Sequence, residues 1–143
     1  DKSIRGRSAS TGNRFEPGKK PMSTMAPTMI FNKDGELSLI TGSPGGSLIP
    51  AAILRVVTGV IDFELDIGQA TMLPRVHKDW PTTGILHERT LNADSIRGIR
   101  NIGHKMTPEH TMGSTQSIHI VDGVNYGYAD LRRPNASVST QAN

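Results

Sequence analysis

Residues Thr41–Ile61 read TGSPGGSLIPAAILRVVTGVI, and the architecture of the chain follows from how this stretch is read. Gly42-Ser43-Pro44-Gly45-Gly46-Ser47 is a turn: two adjacent glycines beside a proline cannot sit inside a helix or a central strand without penalty. From Leu48 the pattern changes. Leu48, Ile49, Ala51, Ala52, Ile53, Val56, Val57, Val60 and Ile61 cover most of a helical wheel, which predicts a helix buried on most sides, with Ser47 as its N-cap and Pro50 tolerated in the first turn. Upstream, Thr28–Phe31 and Leu37–Thr41 are short strand patterns on either side of Asn32-Lys33-Asp34-Gly35, a hairpin signal. Downstream, a shorter helix follows Asp66 and ends before Pro74, and Ile85–Arg89 reads as a weak strand. Ala93–Ile102 reads as a surface helix, with Asn92 or Asp94 near its start and Gly103 at its end. Ser117–Val121 and Val124–Tyr128 flank Asp122-Gly123 as a second hairpin. The expected order is strand, strand, helix, helix, strand, helix, strand, strand: an antiparallel sheet covered by helices, an α+β arrangement.

The chain has 143 residues and 15.4 kDa, the size of one compact domain or of part of one. Phe15, Phe31, Phe63 and Trp80, four of its six aromatic residues, lie in the first 80, so the large core anchors are few and unevenly placed. This distribution reads as a portion of a larger unit. Six of the 16 Lys and Arg fall in residues 1–20 with only Asp1 and Glu16 of the 13 acidic residues, a local net charge of +4 that leaves the rest at −1. The basic pI therefore describes an arm rather than a basic face, and no nucleic-acid partner is expected. Residues 1–20 read as a mobile arm or the remnant of a lid, 134–143 as a polar tail. Without cysteine, disulfides, thiolate catalysis and thiolate zinc sites are excluded. The longest apolar run falls far short of the roughly 20 residues that span a bilayer. Asp1 is not Met and no signal pattern follows it, so the numbered chain reads as a mature piece or a fragment.

Which residues could carry chemistry? In Gly42–Ser47 the glycines let backbone N–H groups approach a ligand, and the head of the following helix favours negative charge. Such a loop can hold a phosphate, a carboxylate or a developing oxyanion. It matches neither the phosphate-loop nor the dinucleotide spacing, and by itself it equally fits an ordinary strand-to-helix turn. Ser23 and Thr24, between Pro21 and Pro27, put two hydroxyls on a stiffened segment before the first hairpin, where they could bind a carboxylate or serve as plain loop residues. His77, His87, His104, His110 and His119 show no metal-ligand spacing, and no metal or cofactor is expected.

Four motifs in order make a more specific pattern: PGKKPMSTMAPT (Pro17–Thr28), TGSPGGS (Thr41–Ser47), PRVHKDW (Pro74–Trp80) and MGSTQSI (Met112–Ile118). Together they resemble the small subunit of the gamma-glutamyltranspeptidases, over roughly Pro17 to Arg133. The resemblance implies an N-terminal nucleophile hydrolase, in which a self-cleaving precursor yields a large and a small subunit. The two build a four-layer αββα sandwich with helices outside two sheets, and this chain would be the C-terminal part of the small subunit. It further implies that a freed N-terminal Thr attacks a gamma-glutamyl amide such as glutathione, and that the acyl-enzyme is resolved by water or by an amino acid or peptide acceptor. The Thr α-amino group can serve as base, so no histidine is needed.

Carried over by motif, Gly45 and Gly46 are similar to the pair whose N–H groups form the family's oxyanion hole. Ser23 and Thr24 are similar to the pair of serines that binds the α-carboxylate of the gamma-glutamyl group, with Thr24 departing from the usual Ser. Asp1, opening Asp1-Lys2-Ser3, corresponds to the aspartate that pairs with the substrate α-amino group. The nucleophilic Thr has no counterpart here and is expected upstream of Asp1, so this chain alone is expected to be inactive. The expected partners are the large subunit of the same precursor, a gamma-glutamyl donor and an acceptor. The resemblance also implies a periplasmic or extracellular location. The competing reading is a non-catalytic module that holds an anion at Gly42–Ser47.

Overall fold

The computed structural model describes residues 16–20, 23–79 and 84–140. Its larger sheet has four antiparallel strands in the order β1-β2-β6-β7: β1 (Thr28–Phe31), β2 (Leu37–Gly42), β6 (Gln116–Val121) and β7 (Val124–Ala129). Both sequence-predicted hairpins are present. The first is closed by Asn32, whose Oδ1 accepts from the N–H of Asp34 and of Glu36. One face of this sheet carries Ile30 and Leu39, which pack with Val56 and Val60 of α1 (Ile49–Ile61) and with Ile67 and Ala70 of α2 (Ile67–Met72). Burying side chains such as Leu39 and Val56 stabilises by roughly 1.5–3 kcal/mol each. Strand alternation sends Met29, Phe31 and Ile118 to the opposite face, where they stay 64%, 58% and 41% exposed.

The long helix differs in two ways from the sequence reading. A short 3-10 turn, Gly46–Leu48, precedes it, so α1 begins at Ile49 and Ser47 does not cap it. The Ser47 hydroxyl instead donates to Asp79. Burial is also one-sided: Ile49, Ala52, Ile53, Val56, Gly59 and Val60 are buried at helical spacing, while Leu54 and Ile61 are exposed. The short α2 is capped as its sequence suggests, Asp66 accepting from the Gln69 N–H at 2.8 Å.

A second, three-stranded sheet corrects the expectation of antiparallel pairing alone. Its order is β3 (Val76–His77), β4 (Gly84–Glu88) and β5 (Lys105–Glu109), and β4 and β5 run parallel. Parallel neighbours require a crossover, supplied by α3 (Ala93–Asn101), whose N-cap Asn92 accepts from the Ser95 N–H. Neither β3 nor β5 was expected from sequence. The first is two residues long. The second contains Pro108, which an edge strand tolerates because only one side of it is paired. Among the described residues no helix is long and apolar enough to cross a membrane.

Candidate active site

The strand registers bring several loops to one end of the larger sheet. Thr28 lies opposite Thr41, Gly42 opposite Gln116, and Gln116 opposite Ala129. The segment before β1, the bend after β2, the segment before β6 and the segment after β7 therefore all leave the sheet at the same edge. That edge carries Ser23 and Thr24, Gly45 and Gly46, Met112–Thr115, and Asp130–Arg132.

At the bend, Gly45 has φ +142° and Gly46 φ +58°, conformations that L side chains rarely adopt. The Leu48 N–H donates to the Gly45 carbonyl at 3.1 Å and closes the turn. Among the described residues neither the Gly45 nor the Gly46 N–H donates to an internal acceptor, and no side chain caps the turn. Two donors at the head of a helix are thus left for an outside acceptor. The bend rests on Gly113 (φ +73°): a Cβ there would lie 2.6 Å from Ser43 Oγ and 3.2 Å from both the Pro44 carbonyl oxygen and Ala52 Cβ. Ser43 Oγ accepts from the Ser114 N–H at 3.0 Å and donates to the Pro44 carbonyl oxygen.

Behind this edge lies a buried cluster of two arginines and two carboxylates. Arg75 donates through Nη2 to Asp130 Oδ2 at 2.7 Å and to Thr115 Oγ1, and through Nη1 to the Met112 carbonyl oxygen. Arg132 forms a two-pronged contact with Glu88, Nε to Oε1 and Nη2 to Oε2, each 2.7 Å, and donates to the Thr71 and Leu73 carbonyl oxygens. Glu88 also accepts the N–H groups of Arg75 and Met112, and Asp130 those of Thr115 and Arg132. Burial alone would push both carboxyls up, but the opposing donors prevail. Hydrogen bonds from Arg132 and from the Met112 and Arg75 amides hold Glu88 below the ordinary carboxylate range, and those from the Arg132 and Thr115 amides, with the charge of Arg75, do so for Asp130. Burial and the like charge of Arg132 lower Arg75, whereas Glu88 and Asp130 outweigh burial and raise Arg132. The cluster ties the end of α2, β4, the Met112–Thr115 segment and the chain after β7 into one unit.

Ser23 is exposed and its Oγ accepts from the Met25 N–H, while Thr24 is half-buried. Asp1 lies outside the described residues, as do the arm through residue 15 and Trp80. In the sequence Arg75, Asp79 and Gly113 stand out only as members of motifs, and nothing singles out Glu88, Asp130 or Arg132. A cavity of about 530 Å³ lined by Asp66, His119, Tyr126 and Tyr128 sits at the opposite end of the sheet, by the β6–β7 hairpin, away from the glycine bend.

Comparison with known proteins agrees with the four-motif pattern. The model of the gamma-glutamyltranspeptidase family matches residues 2–140. The chain belongs to this family. It is 40% identical over 121 residues to the glutathione hydrolase proenzyme of Escherichia coli, covering 84% of this chain and 21% of that protein. It is 31% identical over 129 residues to the glutathione hydrolase proenzyme of Bacillus subtilis, covering 88% and 22%. The chain thus spans about a fifth of the length of these curated relatives. The crystal structure of the T380A mutant of Helicobacter pylori gamma-glutamyltranspeptidase superposes with a TM-score of 0.80 at 31% identity, over 87% of this chain and 69% of that one. The α+β fold is accordingly part of the αββα sandwich of the N-terminal nucleophile hydrolases.

Proposed function

We propose that this chain is the C-terminal part of the small subunit of an enzyme that transfers or hydrolyses gamma-glutamyl groups, and that it supplies the oxyanion hole and part of the donor-binding site. Gly45 and Gly46 offer their N–H groups to the carbonyl oxygen of a gamma-glutamyl amide as it gains negative charge. Ser23 and Thr24 bind the donor α-carboxylate, and Asp1 binds its α-amino group. The nucleophile is an N-terminal Thr that precedes Asp1, freed by cleavage of the precursor whose large subunit completes the site. Export to the periplasm or the cell exterior is part of the same proposal.

The observation that carries this reading is the glycine bend: two amide donors that among the described residues have no internal acceptor, at the 3-10 turn leading into α1, on the sheet end that also carries Ser23 and Thr24. Family membership supports the choice of an acyl oxyanion over a bound phosphate. Preorganised donors act where charge develops, and removing one typically lowers turnover by roughly 10²- to 10³-fold. The test is incubation of the full-length precursor with glutathione, with and without a dipeptide acceptor. Release of cysteinylglycine, together with a gamma-glutamyl adduct on the new N-terminal Thr, is expected. A processed protein that binds glutathione without turnover would overturn the proposal in favour of an anion-binding module.

A further inference from the structure

The glycine bend has little main-chain support of its own: the Leu48 N–H bond to the Gly45 carbonyl closes it, and both glycines lie at positive φ. Something outside the bend must fix where its amides point. Ser47, the next residue, turns its hydroxyl away from the helix and donates it to Asp79 Oδ2 at 3.2 Å. The other oxygen of that carboxylate, Oδ1, lies 3.1 Å from His77 Nε2, a close polar contact without hydrogen-bond alignment, with the His77 side chain only 10% exposed. His77 is in β3, opposite Leu86 of β4. Arg75, which precedes β3, is fixed by its N–H to Glu88 Oε2 and by the Glu88 N–H to its own carbonyl oxygen. A continuous strap therefore runs from the buried Arg–carboxylate cluster through β3, His77 and Asp79 to Ser47 and the bend.

We propose that Asp79 is a positioning residue of the reaction: through Ser47 it holds the Gly45–Gly46 amides at the angle the oxyanion requires, anchoring them to the second sheet. This inference rests on the oxyanion reading given above. It opposes what the charge of Asp79 would do by itself, since a carboxylate near the bend disfavours a second negative charge. If charge dominated, removing it would speed turnover. If positioning dominates, removing the strap slows turnover, because misplacement of a catalytic group by 1 Å can cost about 10²-fold.

The experiment uses the full-length precursor bearing Ser47→Ala, Asp79→Ala, the double variant and Asp79→Asn. It measures kcat and KM for a gamma-glutamyl amide, the inhibition constant of L-glutamate, the affinity of a tetrahedral boronate analogue of the gamma-glutamyl group, and Tm. Positioning predicts that Ser47→Ala and Asp79→Ala each lower kcat by about tenfold with KM, glutamate affinity and Tm unchanged. It predicts that boronate affinity falls by the same factor as kcat/KM. The double variant should lose no more than either single one, because both cut the same strap. Asp79→Asn, which keeps an acceptor oxygen for Ser47, should retain most of the activity. Unchanged or faster turnover in Asp79→Ala, independent losses that multiply in the double variant, or a rise in KM with a lower Tm would each overturn it. Turnover of the unaltered enzyme tests the oxyanion reading separately, so an active parent with indifferent variants sinks only the strap.

Discussion

Gly113 is the residue on which the bend depends most plainly. Its side-chain space is occupied by Ser43 Oγ at 2.6 Å and by the Pro44 carbonyl oxygen and Ala52 Cβ at 3.2 Å, and its φ is +73°. Gly113→Ala is expected to destabilise by about 1–3 kcal/mol and to displace the bend, lowering turnover together with Tm. Gly45→Ala differs: its Cβ would meet Gly113 Cα at 3.4 Å, a contact the neighbours can absorb, but φ +142° excludes the native backbone. Turnover should therefore fall about 10²-fold or more through misaimed amides. Steady-state kinetics beside a melting curve separates the two variants. The glycine pair was legible only through the TGSPGGS motif, because a Pro-Gly-Gly run before a helical pattern also fits an ordinary strand-to-helix turn. Gly113 was not, since its need for φ > 0 arises from a loop 68 to 70 positions earlier that only the fold brings against it.

The elements were legible wherever short-range chemistry sets them. Asp66 and Asn92 cap α2 and α3, and replacing either by Ala should cost about 1 kcal/mol, read as a small Tm decrease. The β4–β5 pair was hidden because Lys105–Glu109 carries polar residues and Pro108; its strand character comes from the neighbour and the crossover, not from its own pattern. The buried cluster was equally hidden. In composition Arg75, Glu88, Asp130 and Arg132 look like any surface charges, and only burial reveals that each needs the others. Breaking it is costly because the remaining partner is left charged in a dry environment. Arg75→Met and Asp130→Asn should each destabilise by about 3–5 kcal/mol, measured by urea unfolding. Loss below 1 kcal/mol would show that water enters the cluster.

At the scale of the molecule, the cluster ties stability to acidity. Because Glu88 and Asp130 are held below their ordinary range in the folded protein, their contribution is fully present above the unfolded carboxylate values of about 4 and is lost as pH falls through the lowered ones. Urea midpoints should be flat for these groups near neutrality and drop below about pH 4; a protein that gained stability on acidification would contradict this. The face bearing Met29, Phe31 and Ile118, over which Val138 packs only at Gly127 among the described residues, lies opposite the helices, where a four-layer sandwich places its second sheet. The chain studied alone is expected to self-associate through it, with Phe31→Lys moving sedimentation toward monomer. The most direct measurement concerns the bend itself. An ester in place of the Gly45–Gly46 peptide bond, with glycolic acid at position 46 of the full-length enzyme, deletes the Gly46 N–H, changes no side chain and keeps the Gly45 carbonyl as a weaker acceptor for the Leu48 N–H. The kcat for a gamma-glutamyl amide should fall roughly 10²- to 10³-fold with KM and Tm nearly unchanged. Turnover equal to that of the all-amide enzyme would contradict it.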